Sequence, residues 1–187
     1  MESKFYEGIK KCCFTGYRPA KFPFSLNRED SDYKKFENAL VEEILSLVGS
    51  GCRVFYSGMA MGFDIIAAEL VLMLKRAYGY SDIKLICVLP FPEQADSFTS
   101  FWRKRFNDIL DLCDEKIILA NEYSMGCYQK RNVYMVDNSD AVLTWYDGKP
   151  GGTHNTIEYA AKTQKYIINT CNKSSGSFAV QTIFEII

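Results

Sequence analysis

Between Asp140 and Glu158 the chain reads Asp-Ala-Val-Leu-Thr-Trp-Tyr-Asp-Gly-Lys-Pro-Gly-Gly-Thr-His-Asn-Thr-Ile-Glu, and few folds accommodate that succession. Residues 141–146 are short, apolar and rich in β-branched and aromatic side chains, the composition of a strand covered on both faces. Asp147, Gly148, Pro150, Gly151 and Gly152 follow as turn and breaker residues. Thr153 or Asn155 then suits the N-cap of a helix running through Ile157, Tyr159 and Ala160 to Thr163. A strand, a glycine-rich turn and a helix in that order place amides without intrahelical partners at the end of a buried strand. Glycine lets a ligand approach the backbone, and the helix dipole favours an anion there. Taken alone, the stretch reads equally well as a tight turn with no ligand.

The same succession recurs upstream. Residues 11–16, Lys-Cys-Cys-Phe-Thr-Gly, make a short apolar strand that ends on glycine, followed by Tyr17, Arg18 and Pro19. Pro19 and Pro23 keep the chain out of helix for several residues. Arg18, at a strand's carboxyl end, offers a planar fork suited to phosphate or carboxylate, with a surface ion pair as the plainer role. Residues 53–57 form a second strand that enters Gly58-Met-Ala-Met-Gly62-Phe-Asp64 and then a helix over 65–78. Gly58 and Gly62 do not make the dinucleotide pattern G-x-G-x-x-G, but two such loops on one sheet edge argue more strongly than either alone. Asp64 complements the dipole of the helix it opens. Glu69, near the first turns of the same helix among Ala67, Ala68 and Leu70, either complements that dipole as well or faces a ligand, since carboxylates seldom bury without a partner.

The remaining elements alternate in the same way. A helix spans 29–48, N-capped by Ser31 or Asp32 and stopped by Gly49-Ser-Gly51. A strand over 83–89 is closed by Pro90-Phe-Pro92. A helix over 93–113 carries Phe98, Phe101, Trp102, Phe106, Ile109 and Leu110 on its apolar side. A strand over 115–120 ends at Asn121, a helix spans 125–138, and a last strand covers 166–169. Residues 178–187 are apolar and fit either a helix or an edge strand. Strands alternating with helices specify an α/β fold: a doubly wound, mostly parallel, Rossmann-like sheet in three αβα layers, one domain across residues 1–187. Ligands of such sheets bind outside the strands' carboxyl ends, near the switch in strand order. Thr15, Gly16, Tyr17, Arg18, Ser57, Gly58, Met59, Ala60, Gly62, Asp64, Asn121, Asp147, Gly151, Gly152 and Thr153 are expected to converge there, with Glu69 as a further ligand candidate.

Composition narrows the functions. A net charge of −1 gives no general affinity for polyanions. Trp102 and residues 103–105 are the one stretch suggesting a partner surface. There is no C-x-x-C pair, and His154 is the only histidine, so neither a metal site nor a bound cofactor is expected. Cys12, Cys13, Cys52, Cys87 and Cys171 lie in or beside apolar runs, where cysteine acts as a small hydrophobe. Cys113 and Cys127 flank a helix–strand–loop passage and are read either as reactive thiols or as buried inert ones. No run approaches ~18 apolar residues and the first residues lack a signal peptide's apolar region, so the chain reads as cytosolic, reduced and without a membrane partner.

Several separated motifs carry a family likeness. Thr15-Gly-Tyr-Arg-Pro19, Ser57-Gly-Met-Ala-Met-Gly-Phe-Asp64 with Ala67-Ala-Glu69, Arg131-Asn-Val-Tyr-Met135-Val-Asp-Asn-Ser-Asp140, and Tyr146-Asp-Gly148 followed by Gly151-Gly-Thr153 together resemble the YpsA family of the SLOG superfamily. That superfamily also holds DprA/Smf and the LOG-type phosphoribohydrolases. The likeness covers roughly residues 11–169, in motif order. It implies a Rossmann-like domain that binds a nucleotide or nucleotide-like small molecule. LOG-type enzymes carry Arg-Lys-x-x-Met, then an acidic residue, then Pro-Gly-Gly-x-Gly-Thr-x-x-Glu. Arg131, Met135 and Asp140 resemble the first part, and Pro150, Gly151, Gly152 and Glu158 the second. Arg131 and Glu158 therefore stand where that family has its catalytic arginine and glutamate. Here His154-Asn155 replaces the family's Gly-Thr, Asn132 replaces its lysine, and residues 146–149 look inserted.

Three functions follow from the resemblance. The first is binding or sensing of a nucleotide-derived ligand without turnover. The second is LOG-like hydrolysis of the N-glycosidic bond of a nucleoside monophosphate. In it Glu158 would steady oxocarbenium charge or orient water, and Arg131 would hold the phosphate or the leaving base. The third is single-stranded nucleic-acid binding, against which the acidic balance weighs. Related folds pair through helices, so a homodimer is the assembly the resemblance suggests.

Overall fold

The computed structural model describes residues 6–77 and 79–171. Its strands are β1 (Lys11–Gly16), β2 (Val54–Ser57), β3 (Lys84–Leu89), β4 (Glu115–Ile118), β5 (Ala141–Trp145) and β6 (Tyr166–Asn169). Its α-helices are α1 (Ser31–Gly49), α2 (Phe63–Ala77), α3 (Ser100–Leu110), α4 (Cys127–Asp137) and α5 (Gly152–Lys162). The strands form one sheet in the order β4-β3-β2-β1-β5-β6, and every pairing is parallel.

That order follows from handedness. Right-handed crossovers that carry the chain from β1 through β2 and β3 to β4 put their helices on one face of the sheet. The chain then doubles back to β5 on the other flank of β1, which puts the later helices on the opposite face. The core divides accordingly. Cys12 and Phe14 of β1, Phe55 of β2, Leu85 of β3 and Leu143 of β5 join Leu40 and Ile44 of α1, Ile66 and Val71 of α2, and Phe106 of α3. Cys13, Tyr56, Val88 and Val142 point the other way, against Met135 and Val136 of α4 and Ala160 of α5. Strand side chains alternate between faces, so a strand buried on both sides reads as a continuous apolar run. β5 is buried at every position, as its composition predicts.

Three local expectations change. The N-cap of α1 is Asp30, whose carboxylate accepts from the amides of Asp32 at 2.8 Å and Tyr33 at 3.2 Å, rather than Ser31 or Asp32. The long helix expected over 93–113 is broken: a 3-10 turn at Pro92–Ala95 precedes α3, which starts only at Ser100. Asp96-Ser-Phe-Thr99 separates them, where short polar side chains compete with helical bonding. Arg103 reaches back to hold the break, its Nε donating to the Ala95 carbonyl at 3.2 Å. Finally, α5 begins at Gly152 behind Gly151, with no side-chain cap from Thr153 or Asn155. Residues 178–187 lie outside the described residues. No described helix is long and apolar enough to cross a membrane.

Candidate functional site

Strand order reverses at β1, between β2 and β5, so the loops leaving these three strands share one rim. Contacts between the loops fix that rim. Gly62 has φ +94, and a Cβ there would come within 2.5 Å of the Tyr17 carbonyl, so only glycine fits. The close approach lets the Phe63 amide donate to that carbonyl at 3.1 Å. Across the other flank, the Thr153 hydroxyl donates to the Gly16 carbonyl at 2.9 Å, and Lys21 Nζ donates to the Pro150 carbonyl at 2.7 Å. The Tyr17 hydroxyl donates to the Asp147 carboxylate and accepts from the Lys149 amide at 3.2 Å. Burial, then the bond to Asp147, pushes the Tyr17 phenol up to about 12. Its ring meets Trp145 and Tyr146 edge-on, at centroid distances of 5.4 and 6.1 Å.

The β2–α2 loop is pinned from three sides. Ser57 Oγ donates to the Asp64 carbonyl at 3.0 Å and accepts from the Met59 amide at 3.1 Å. That anchorage holds Met59 at φ +57, which costs a non-glycine residue about 1 kcal/mol. Gln94 Nε2, just past the Pro-Phe-Pro turn, donates to the carbonyls of Gly58 at 3.1 Å and Met59 at 2.8 Å. Arg131, from α4, donates Nη1 to the same Gly58 carbonyl. A Cβ at Gly58 would overlap its guanidinium, so glycine is what admits the arginine.

Asp64 and Arg131 are both buried and electrostatically coupled. Burial raises the Asp64 carboxyl to about 6, although Arg131, a 3.4 Å bond from the Ala60 amide and Arg18 all pull it down. Burial also lowers Arg131, against the pull of Asp64. Arg131 Nε and Gln94 Oε1 are buried without hydrogen-bond partners among the described residues.

Two features turn this rim toward anions. Arg18 is exposed, lies over the Tyr128 ring at 5.7 Å, and its guanidinium makes no hydrogen bond or ion pair among the described residues. Among the described residues the N-terminus of α5 has no side-chain cap to offset its dipole and first amides. Beside that terminus a second arrangement forms. The Tyr146 hydroxyl and His154 Nδ1 share a 2.6 Å hydrogen bond, and His154 Nε2 lies 3.3 Å from Glu158 Oε1. Asn169 of β6 clamps the backbone of Tyr146 with bonds of 3.1 and 2.7 Å.

The expected residues fall into groups. Gly16, Tyr17, Asp147 and Thr153 are joined by the bonds across β1 and β5, and Pro150 ties Gly151 and Gly152 to the same flank. Arg18, Ser57, Gly58, Met59, Ala60, Gly62 and Asp64 gather at the ends of β1 and β2, with Thr15 buried just behind in β1. Ser57 and Met59 are themselves fully buried and act through the backbone they hold. Glu69 is taken by Arg105 of α3 through bonds of 2.6 and 2.5 Å, with Arg105 stacked 4.4 Å over Trp102. Asn121 is exposed beyond β4, at the far edge of the sheet from β1. Arg131 is buried, Glu158 is half exposed, and no hydrogen bond or ion pair joins them among the described residues. Sequence reasoning passed over Lys21, Gln94 and Tyr128. Gln94 had a signal, its place just after a strand-ending Pro-Phe-Pro; Tyr128 had none, because its ring meets Arg18 only once α4 crosses the sheet.

Comparison with known proteins fits this geometry. The sequence model of the YpsA family, described as the YspA SLOG family, matches residues 12–174. A UPF0398 protein of Halalkalibacterium halodurans is 32% identical over 161 residues, 84% of this chain and 83% of its own. The SPbeta prophage-derived protein YoqJ of Bacillus subtilis is 32% identical over 137 residues, 67% of this chain and 78% of its own. Two solved structures share the fold. DNA processing protein A of Helicobacter pylori, studied for its single-stranded DNA binding mode, aligns with TM-score 0.58 at 20% identity over 86% of this chain. DNA processing protein A (DprA) of Streptococcus pneumoniae aligns with TM-score 0.55 at 17% identity, also over 86%. The chain spans 64% and 50% of those two proteins' lengths.

Proposed function

The chain belongs to the YpsA SLOG family, and from that premise and the geometry of the switch point we propose that it binds a nucleotide or nucleotide-derived ligand there, as a sensing or sequestering domain. The observation that carries the reading is Arg18, an exposed guanidinium with no side-chain hydrogen bond or salt bridge among the described residues, on the rim that the uncapped α5 terminus shares. A phosphate would gain charge-assisted bonds from the arginine fork and the favourable end of the helix dipole. The backbone at Gly58–Gly62 and Gly151–Thr153 would lie close to phosphate or ribose, with Tyr17 and Asp147 forming the wall beside β5.

Thermal unfolding in the presence of nucleoside mono-, di- and triphosphates tests this. A bound nucleotide raises the melting temperature by mass action. Arg18→Ala should weaken that binding about tenfold or more, the scale of a hydrogen bond to a charged group, while leaving the unliganded melting temperature near that of the wild type. A melting temperature that moves with none of these nucleotides at millimolar concentration would sink the reading.

Hydrolysis of a glycosidic bond is the second reading, and the Tyr146–His154–Glu158 chain favours it. A phenol hydrogen-bonded to an imidazole that has a carboxylate 3.3 Å from its other nitrogen can relay a proton beside a bound ligand. Release of free base from a nucleoside monophosphate, abolished in Glu158→Ala while the nucleotide-induced thermal shift persists, would establish turnover. The Helicobacter pylori protein binds single-stranded DNA. The net charge of −1 weighs against such a ligand here, and a salt-dependent gel shift would revive it.

A further inference from the structure

A groove of about 340 Å³ opens between α2 and the end of α3, on the side of the larger core. Met73 and Arg76 of α2 line one wall, and Asp108, Ile109 and Leu112 the other. Met73 and Leu112 stand 38% and 43% exposed in it. At the other end of α3 Phe101 projects, 61% exposed, with the Arg105 guanidinium 5.2 Å from its ring centre. Phe101, Arg105, Asp108 and Leu112 follow at spacings of four, three and four, so they share one face of the helix. The Cys113 amide donates to the Ile109 carbonyl at 2.9 Å, which carries the helical path past Leu112. None of these residues belongs to the switch-point rim.

The charges of α3 run against its dipole. Arg103, Lys104 and Arg105 stand in its first half, and Asp108 and Asp111 at its end. An isolated helix is favoured by the reverse order. Lys104 and Asp108 pair at 2.6 Å, which offsets little, because both side chains are mostly exposed.

We infer that this face is the seam of a homodimer, with α3 antiparallel to α3 of a second copy. A two-fold axis between residues 106 and 107 sets Phe101 opposite Leu112 of the second copy, over its groove. The same axis sets Arg105 opposite Asp108 of the second copy, and Glu69 fixes Arg105 in place for that contact. The basic half of each helix meets the acidic end of the other, so each finds in its copy the charge order that its own dipole lacks. The contact is isologous: one helix carries a projection at one end and a recess at the other, and the rotation that fills one groove fills both. An unrelated protein could fill the groove, but the match of projection to recess and base to acid along one helix is a property of two identical copies.

Sedimentation velocity of the full-length protein, run from low to high micromolar concentration, tests this. The weight-average mass should rise toward twice the chain mass. Phe101→Asp and Leu112→Asp should each raise the dissociation constant about tenfold or more, with the melting temperature at low concentration unchanged. Cross-linking locates the seam. Phe101→Cys protein mixed with Leu112→Cys protein and oxidised should give a disulfide joining the two substituted positions on different chains. A protein that stays monomeric at high micromolar concentration overturns the inference. So does a dimer indifferent to both aspartates, or a disulfide map that lacks the peptide joining residues 101 and 112. If an aspartate variant fails to fold, the cysteine mixture decides.

Discussion

Asp64 binds its proton more tightly in the folded chain than in the unfolded one, because burial raises its carboxyl from 3.8 to about 6. Between those values the folded state holds a proton that the unfolded state has released, so stability falls as pH rises through the interval. The term is fully favourable below the unfolded value and is lost above about 6. A shift of that size corresponds to about 3 kcal/mol at most. Asp64→Asn removes the titration and resembles the neutral carboxyl that the wild type carries at pH 4. Urea midpoints of the two proteins should therefore lie close at pH 4 and separate toward pH 7, the wild type losing stability that the variant does not. Parallel curves would mean that another group titrates. Asp64 was legible in the sequence as a helix-opening acid, but its burial beside Arg131 was not, since nothing in local spacing joins α2 to α4. Glu69 shows the same limit, because Arg105, its partner, stands on a different helix.

At the level of elements, strands were read closely because a run covered on both faces declares itself in composition, as β5 does. Helix starts were read less well, and α3 shows why. Phe98 fits the apolar spacing of the helix but lies in the turn before it, its ring 5.7 Å from that of Phe106. Periodicity records which side chains face the core, not whether the backbone between them is helical. The turns at the rim depend instead on single positions. Gly62→Ala would force a side chain into a left-handed conformation and against the Tyr17 carbonyl, so we expect a loss of about 2 kcal/mol or more, read by chemical denaturation. Thr153→Val leaves the Gly16 carbonyl without its donor and should cost about 1 kcal/mol. Nucleotide affinity should fall with it if the β1–β5 rim is the binding edge.

Taken whole, the molecule is two unequal cores on either side of one sheet, with β1 shared by both. Phe14, fully buried on β1 and stacked on Phe55 at 5.7 Å, anchors the larger one. Phe14→Ala should cost about 3–5 kcal/mol in a denaturant titration, and a loss below about 1 kcal/mol would contradict this account of the core. The sheet order was legible as a class, since alternating strands and helices imply a doubly wound sheet; the seat of the reversal was not, because it depends on which strand β5 joins. That seat has a consequence for synthesis. Cys12 of β1 pairs on one side with Phe55 and on the other with Ala141. A nascent chain on the ribosome can complete the first pairing early, but the opposite flank of its innermost strand stays raw until Ala141–Trp145 emerges. Until then that flank offers unpaired peptide groups to any neighbouring chain, and messages truncated before Ala141 should yield aggregates rather than a smaller soluble domain.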